Sequence, residues 1–180
     1  MLSERYCIFL RGINVNGIKI SMKDLKEFFI KLGFIDVKTI LATGNVIVTL
    51  DDENLKLDLK KRIETELSNV FSYDAHIIIR TGSDIEAICM EARKQSIPEA
   101  HHLYVLLCDS EEVVTELNTL FNQVIHSMEE QVIPVGRELF WMVSKGDTLK
   151  SEFGSKILQS KKYKDKLTSR NINTIEKLLL

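Results

Sequence analysis

Apolar positions along this chain fall into short continuous runs and into spacings of three and four, and the alternation of the two predicts its elements. Tyr6 to Leu10 is an apolar run of strand length. Met22, Leu25, Phe29 and Leu32 then share one helical face, with Ser21 available as N-cap, Asp24 three residues on and Gly33 to end the helix. Val37 to Leu41 and Val46 to Leu50 read as two strands joined by a tight Ala-Thr-Gly-Asn turn. Leu55, Leu59, Ile63, Leu67 and Phe71 recur at every fourth position along a second helix, and the apolar run Ala75 to Ile79 closes the set.

Strand, helix, strand, strand, helix, strand is the ferredoxin-like split βαβ order, whose sheet is antiparallel with strand order 4-1-3-2. That topology puts the loop after the first strand and the hairpin between the second and third at one end of the sheet. Beyond a connecting helix marked by Ile85, Ile88, Cys89 and Ala92, the pattern starts again. His102 to Cys108 predicts a strand, Val113 to Val124 a helix, Val132 to Val135 and Leu139 to Val143 a hairpin across Gly136, and Leu149 to Gln159 a further helix. No sixth apolar run follows; a lysine-rich stretch leads to a last helix over Ile175 to Leu180. The expectation is an α+β protein with a ferredoxin-like half at residues 1–81, a connecting helix at 82–98, and a second half at 99–180 that is a degenerate βαββα copy plus a C-terminal helix.

In the strands Tyr6 to Leu10, Val46 to Leu50 and Ile77 to Ile79 both alternating faces are mostly apolar. A sheet with helices on one side needs only one such face, so the other is expected to be covered, by the second half or by a second subunit in a homo-oligomer.

Composition narrows the class. The formal charge of −2 argues against a protein dedicated to nucleic acid. It is segregated, with seven carboxylates over Asp109 to Glu138 against Arg137 alone, and eight bases over Lys145 to Arg170. No apolar stretch approaches the ~20 residues of a membrane helix, and Glu4 and Arg5 ahead of a short apolar run do not make a secretory signal. A cytoplasmic location is expected. Cys7, Cys89 and Cys108 are scattered in apolar segments, which predicts buried thiols rather than a disulfide framework or zinc site. The four histidines show no metal-ligand spacing and are expected at the surface or an interface, and Trp141 in a core or interface strand. No cofactor is indicated.

Two polar strings stand out. Arg-Gly-Ile-Asn-Val-Asn-Gly, Arg11 to Gly17, follows the first strand, and Thr-Ser-Arg-Asn-Ile-Asn-Thr, Thr168 to Thr174, precedes the last helix. The first has neither Walker nor dinucleotide-loop spacing. Its glycines, Arg11 and Lys19 at a helix onset nevertheless suit phosphate or carboxylate. The Ile8 to Ile13 segment resembles an RNA-recognition strand, but Val46 to Leu50 offers no aromatic platform for bases.

Together with the helix onset Ile-Ser-Met-Lys-Asp-Leu and the segment Gly-Phe-Ile-Asp-Val-Lys-Thr-Ile-Leu-Ala-Thr-Gly-Asn-Val-Ile-Val, these strings make the chain resemble the bacterial family called domain of unknown function 1697. The resemblance runs over nearly the whole chain and implies a ferredoxin-like architecture; it supplies no activity. The family pattern has Ser where this chain has Thr43, which keeps a hydroxyl, and often Tyr where it has Ile40, which does not.

The leading functional expectation is a site for a small anionic, phosphorylated or nucleotide-like ligand. Arg11, Asn14, Asn16, Lys19, Thr43 and Asn45 would form one wall, and Arg170, Asn171 and Asn173 would approach from the C-terminal side, with Arg11 and Arg170 at one end of the molecule. The alternatives are an enzyme using the same pocket, completed by a carboxylate, His or Cys, and a structural or interaction protein whose Arg and Asn side chains tie the chain ends together.

Overall fold

The structure, a computed structural model, describes residues 4–14, 18–50 and 58–179. The chain divides into two compact units, Met1–Glu86 with Lys177–Leu180, and Ala87–Glu176.

The first unit runs β1 (Glu4–Arg11), α1 (Met22–Lys31), β2 (Ile35–Ile40), β3 (Asn45–Leu50), α2 (Leu59–Phe71) and β4 (His76–Thr81), and α3 (Gly82–Ala92) begins in it. Its sheet has the order β2-β3-β1-β4, all pairs antiparallel, the order that the apolar pattern predicts. The Ser21 cap forms: its Oγ accepts the Asp24 N–H at 3.0 Å. Leu25, Phe28 and Phe29 of α1 and Ile63 and Leu67 of α2 pack on Tyr6, Ile8, Leu10, Val46, Val48 and Ile77, one face of the sheet. Cys7, Phe9, Ile47 and Ile78, on the alternate positions of the same strands, are also buried. The part of the second helix assigned to Leu55 lies outside the described residues.

The second unit contains β5 (His101–Cys108), α4 (Glu111–Gln123), β6 (Gln131–Val135), β7 (Glu138–Ser144), α5 (Glu152–Leu158), β8 (Leu167–Asn171) and α6 (Ile172–Glu176). Here one expectation is corrected. The half is not a degenerate βαββα copy: Leu167–Asn171 supplies the missing strand, and the sheet order β6-β7-β5-β8 repeats that of the first unit. The strand escaped notice because it has a single apolar residue, Leu167. As an edge strand it is held by main-chain pairing to β5 rather than by an apolar face of its own. The terminal helix accordingly starts earlier than predicted, at Ile172. Leu106, Leu117, Phe121, Trp141, Phe153 and Ile157 build this unit's core. All three cysteines are buried thiols, as expected of them.

Candidate functional site

The first polar motif is folded onto the β2–β3 hairpin, as the strand order requires. β1 brings Phe9 opposite Asn45 and Arg11 opposite His76. The chain then leaves the sheet through Gly12, at φ +77°, and Asn14, at φ +55°. Asn14 is a two-ended clamp. Its Nδ2 donates to the Ala42 carbonyl across to the hairpin at 2.7 Å, and its Oδ1 accepts the Ile20 N–H at 3.1 Å, just ahead of α1. The Leu10 N–H donates to Gly44 O at 2.7 Å, and Ile13 is buried against the same turn. Asn45 is completely buried, and its Nδ2 donates to Ile40 O and Thr43 Oγ1, both at 2.9 Å. Both of its amide hydrogens are therefore engaged within the hairpin.

The cations of this edge are Arg11, half-buried at the end of β1, and Lys19, exposed. His76 Nε2 lies 3.2 Å from Asp74 Oδ2. The main-chain donors at the helix onset are in part already used. Ser21 caps Asp24, Asp24 Oδ2 accepts the Ser21 hydroxyl at 2.6 Å, and Asn14 takes the Ile20 N–H. The helix onset is therefore not a bare terminus, and the positive charge of this edge is carried by side chains. Asn16 lies outside the described residues.

The second motif belongs to the other unit. Arg170, on β8 opposite Val105, donates through one guanidinium nitrogen to Thr168 Oγ1 and to Ser169 O, each at 2.8 Å. Asn171 Oδ1 accepts the Asn173 N–H at 3.0 Å, which caps the start of α6, while Asn173 itself is exposed.

A third location carries chemistry that sequence reading missed. In the second unit a cleft of about 600 Å³ is lined by Ile125, His126, Ser127, Glu130, Ser144, Asp147 and Ser151, among others. Glu130 is buried, and its Oε1 accepts the Trp141 indole N–H at 2.8 Å and the Ser151 hydroxyl at 2.7 Å. Glu152 Oε2 accepts the Ile125 N–H at 3.1 Å, and the His126 ring stacks on Phe121 at 4.1 Å. Beside the cleft His101, expected at the surface or an interface, is buried within the chain. Its Nε2 sits 3.3 Å from Ser144 Oγ and 3.5 Å from Glu129 Oε2. A serine nucleophile needs its acid on the opposite ring nitrogen. Here both neighbours share Nε2, and Nδ1 is buried without a hydrogen-bond partner, so the trio is not a catalytic triad. No motif could have flagged the cleft, since its polar residues come from two separate stretches of chain, 126–130 and 144–152. The adjacent Glu129-Glu130 pair is the one local signal.

The buried thiols make poor nucleophiles. Burial pushes Cys7 up to about 11, against a smaller opposing pull from Arg5. It raises Cys89 as well, with Glu176 adding to the effect and Arg93 opposing it. Among the described residues no group of three or more His, Cys, Asp or Glu is placed to hold a metal ion, and no helix is long and apolar enough to cross a membrane.

Two four-stranded antiparallel sheets of the same strand order, each packed with helices, define an α+β protein built on a repeated plan. The chain belongs to the family described as "Protein of unknown function (DUF1697)", whose model matches residues 3–140. Its fold is shared with the solved structure of the conserved bacterial protein SP0830 from Streptococcus pneumoniae, at a TM-score of 0.73 and 22% identity, over 98% of this chain and 97% of that one. No curated protein matches it in sequence.

Proposed function

We propose that the chain binds a small anionic ligand, a phosphorylated metabolite or nucleotide, at the Arg11 edge of its first unit. The observation that carries this reading is the Asn14 clamp. By bonding to Ala42 O and the Ile20 N–H it holds the β1–α1 loop against the hairpin, so the strand end bearing Arg11 meets a ligand already ordered. Arg11 and Lys19 supply the charge; Asn14, Thr43 and Asn45 frame the site, and Asn16 belongs to the same loop. An enzymatic version would draw its titratable group from His76, the cross-strand neighbour of Arg11.

Thermal-shift titration against phosphorylated metabolites and nucleotides tests the proposal. At a hundred times Kd a ligand should add about 2.7 kcal/mol of stability, and Arg11→Ala with Lys19→Ala should weaken binding at least tenfold. A broad panel without any shift would remove it.

A second reading, that both motifs are architectural, is favoured by the bonds of Asn14, Asn45, Arg170 and Asn171 to their own chain. It expects Arg170→Ala to melt earlier, losing roughly 1 kcal/mol, with no anion bound by the parent protein. A stable Arg170→Ala protein would leave Arg170, Asn171 and Asn173 to a ligand role.

A further inference from the structure

We infer that the cleft of the second unit is a binding site for a small organic cation, a primary ammonium or guanidinium on a short apolar body. This site is separate from the proposed anion edge and does not depend on it. The argument starts from Glu130. Its residue is 6% exposed, yet it lines the cleft. Trp141 Nε1 can only donate, so Oε1, which also takes the Ser151 hydroxyl, is an acceptor fixed in place by two bonds. Both bonds fall on that one oxygen; among the described residues Oε2 has no hydrogen-bond partner, and no cation stands within ion-pair distance of the group.

A carboxyl oxygen left without a protein partner at a cavity wall is an acceptor that a cationic donor meets best. The cations nearby are committed elsewhere: Lys150 Nζ to Asp147 at 2.9 Å, and Lys156 Nζ to Glu152 at 3.3 Å. The buried carboxyl group therefore faces a cavity with room for a ligand and without a resident partner. The remaining walls set the ligand's other end. Val143, the Phe121-stacked His126 ring and the 85% exposed Ile125 give apolar contact for a hydrocarbon chain. Ser127 and Ser144 add hydroxyls.

The hydrogen bond from Trp141, the single tryptophan of the chain, makes the site self-reporting. Titration of the intact protein with agmatine at low ionic strength should change Trp141 fluorescence saturably. Inorganic phosphate and n-butanol should leave it unchanged. Glu130→Gln keeps an acceptor for Trp141 and Ser151 but removes the charge, and should weaken agmatine at least tenfold. Should that variant fold poorly, Ile125→Lys sets a competing ammonium at the exposed rim without touching the core, and should weaken agmatine several-fold. The inference is overturned by the absence of a saturable change up to about 10 mM agmatine, by equal binding to Ile125→Lys, or by a phosphate response that exceeds the amine response. A phosphate response lost with Arg11→Ala would speak for the anion edge alone.

Discussion

Single residues in the hairpin show how the polar motif works before any ligand is considered. Gly44 has φ +74°, and a Cβ there would sit 2.7 Å from Ile13 Cδ1 and 2.9 Å from Leu10 Cβ. Gly44→Ala therefore combines left-handed strain with overpacking and should cost roughly 2–4 kcal/mol in urea melts. Gly136, at φ +56° with open space around its Cβ position, isolates the first of these effects; Gly136→Ala should cost only about 1 kcal/mol. Asn45→Ala removes the amide that joins Ile40 O to Thr43 Oγ1 from a fully buried position, and a loss of roughly 1–3 kcal/mol is expected. That Asn14 belongs to a loop and Asn45 to a tight turn was legible from the strings Arg-Gly-Ile-Asn-Val-Asn-Gly and Ala-Thr-Gly-Asn. Which carbonyls they reach was not, because Ala42 is 28 positions from Asn14.

At the scale of elements, α5 gives a case where local preference and packing disagree. Alanine is the better helix former by about 1 kcal/mol, so Gly154 looks replaceable. Yet a Cβ at Gly154 would collide with the Thr148 carbonyl and lie 2.7 Å from Trp141 Cη2. Ser151 caps the helix through the Gly154 N–H at 3.0 Å, which fixes the approach, and Phe153 meets the Trp141 ring edge-on with centroids 5.7 Å apart. Gly154→Ala should destabilise by about 3 kcal/mol, the opposite sign to its propensity; a melt unchanged or raised would show that α5 can shift. Strand β8 teaches a related lesson. Hydrophobic period identifies an element through the face it buries, and Leu-Thr-Ser-Arg-Asn has almost none, so its place beside β5 follows from main-chain pairing that no periodicity records.

For the molecule as a whole, the buried titratable groups set the alkaline limit. Cys7 is raised from 9.0 to about 11 by burial, and Tyr73 from 10.0 to about 12 by burial and then by Glu64. Both stay protonated in the folded chain at pH values where the unfolded chain has released the proton. The folded state then binds more protons than the unfolded one, so stability is full below about pH 9 and falls as pH rises through the folded values. Each group contributes a slope of up to about 1.4 kcal/mol per pH unit within its window. Melting temperature should decline between pH 9 and 11, and Cys7→Ala should flatten the first part of that decline. An unchanged decline in Cys7→Ala would assign it to other groups, such as Tyr163, which is also raised, chiefly by burial.

By itself the sequence determined the helix faces, the two hairpins, the order of elements in the first half and hence its sheet, because each depends on short-range periodicity or turn chemistry. It also marked Arg11, Asn14, Thr43 and Asn45 as one neighbourhood, since strand order alone brings them together. The tertiary structure decided the rest. It placed β8 at an edge and completed the second sheet. It turned Asn14 into a clamp on the hairpin, and it brought Trp141 and Ser151 onto the Glu130 carboxyl group. The Asn14–Ala42, Glu130–Trp141 and Glu130–Ser151 bonds span 28, 11 and 21 positions, and depend on burial and hydrogen-bond geometry that exist only once the chain has folded.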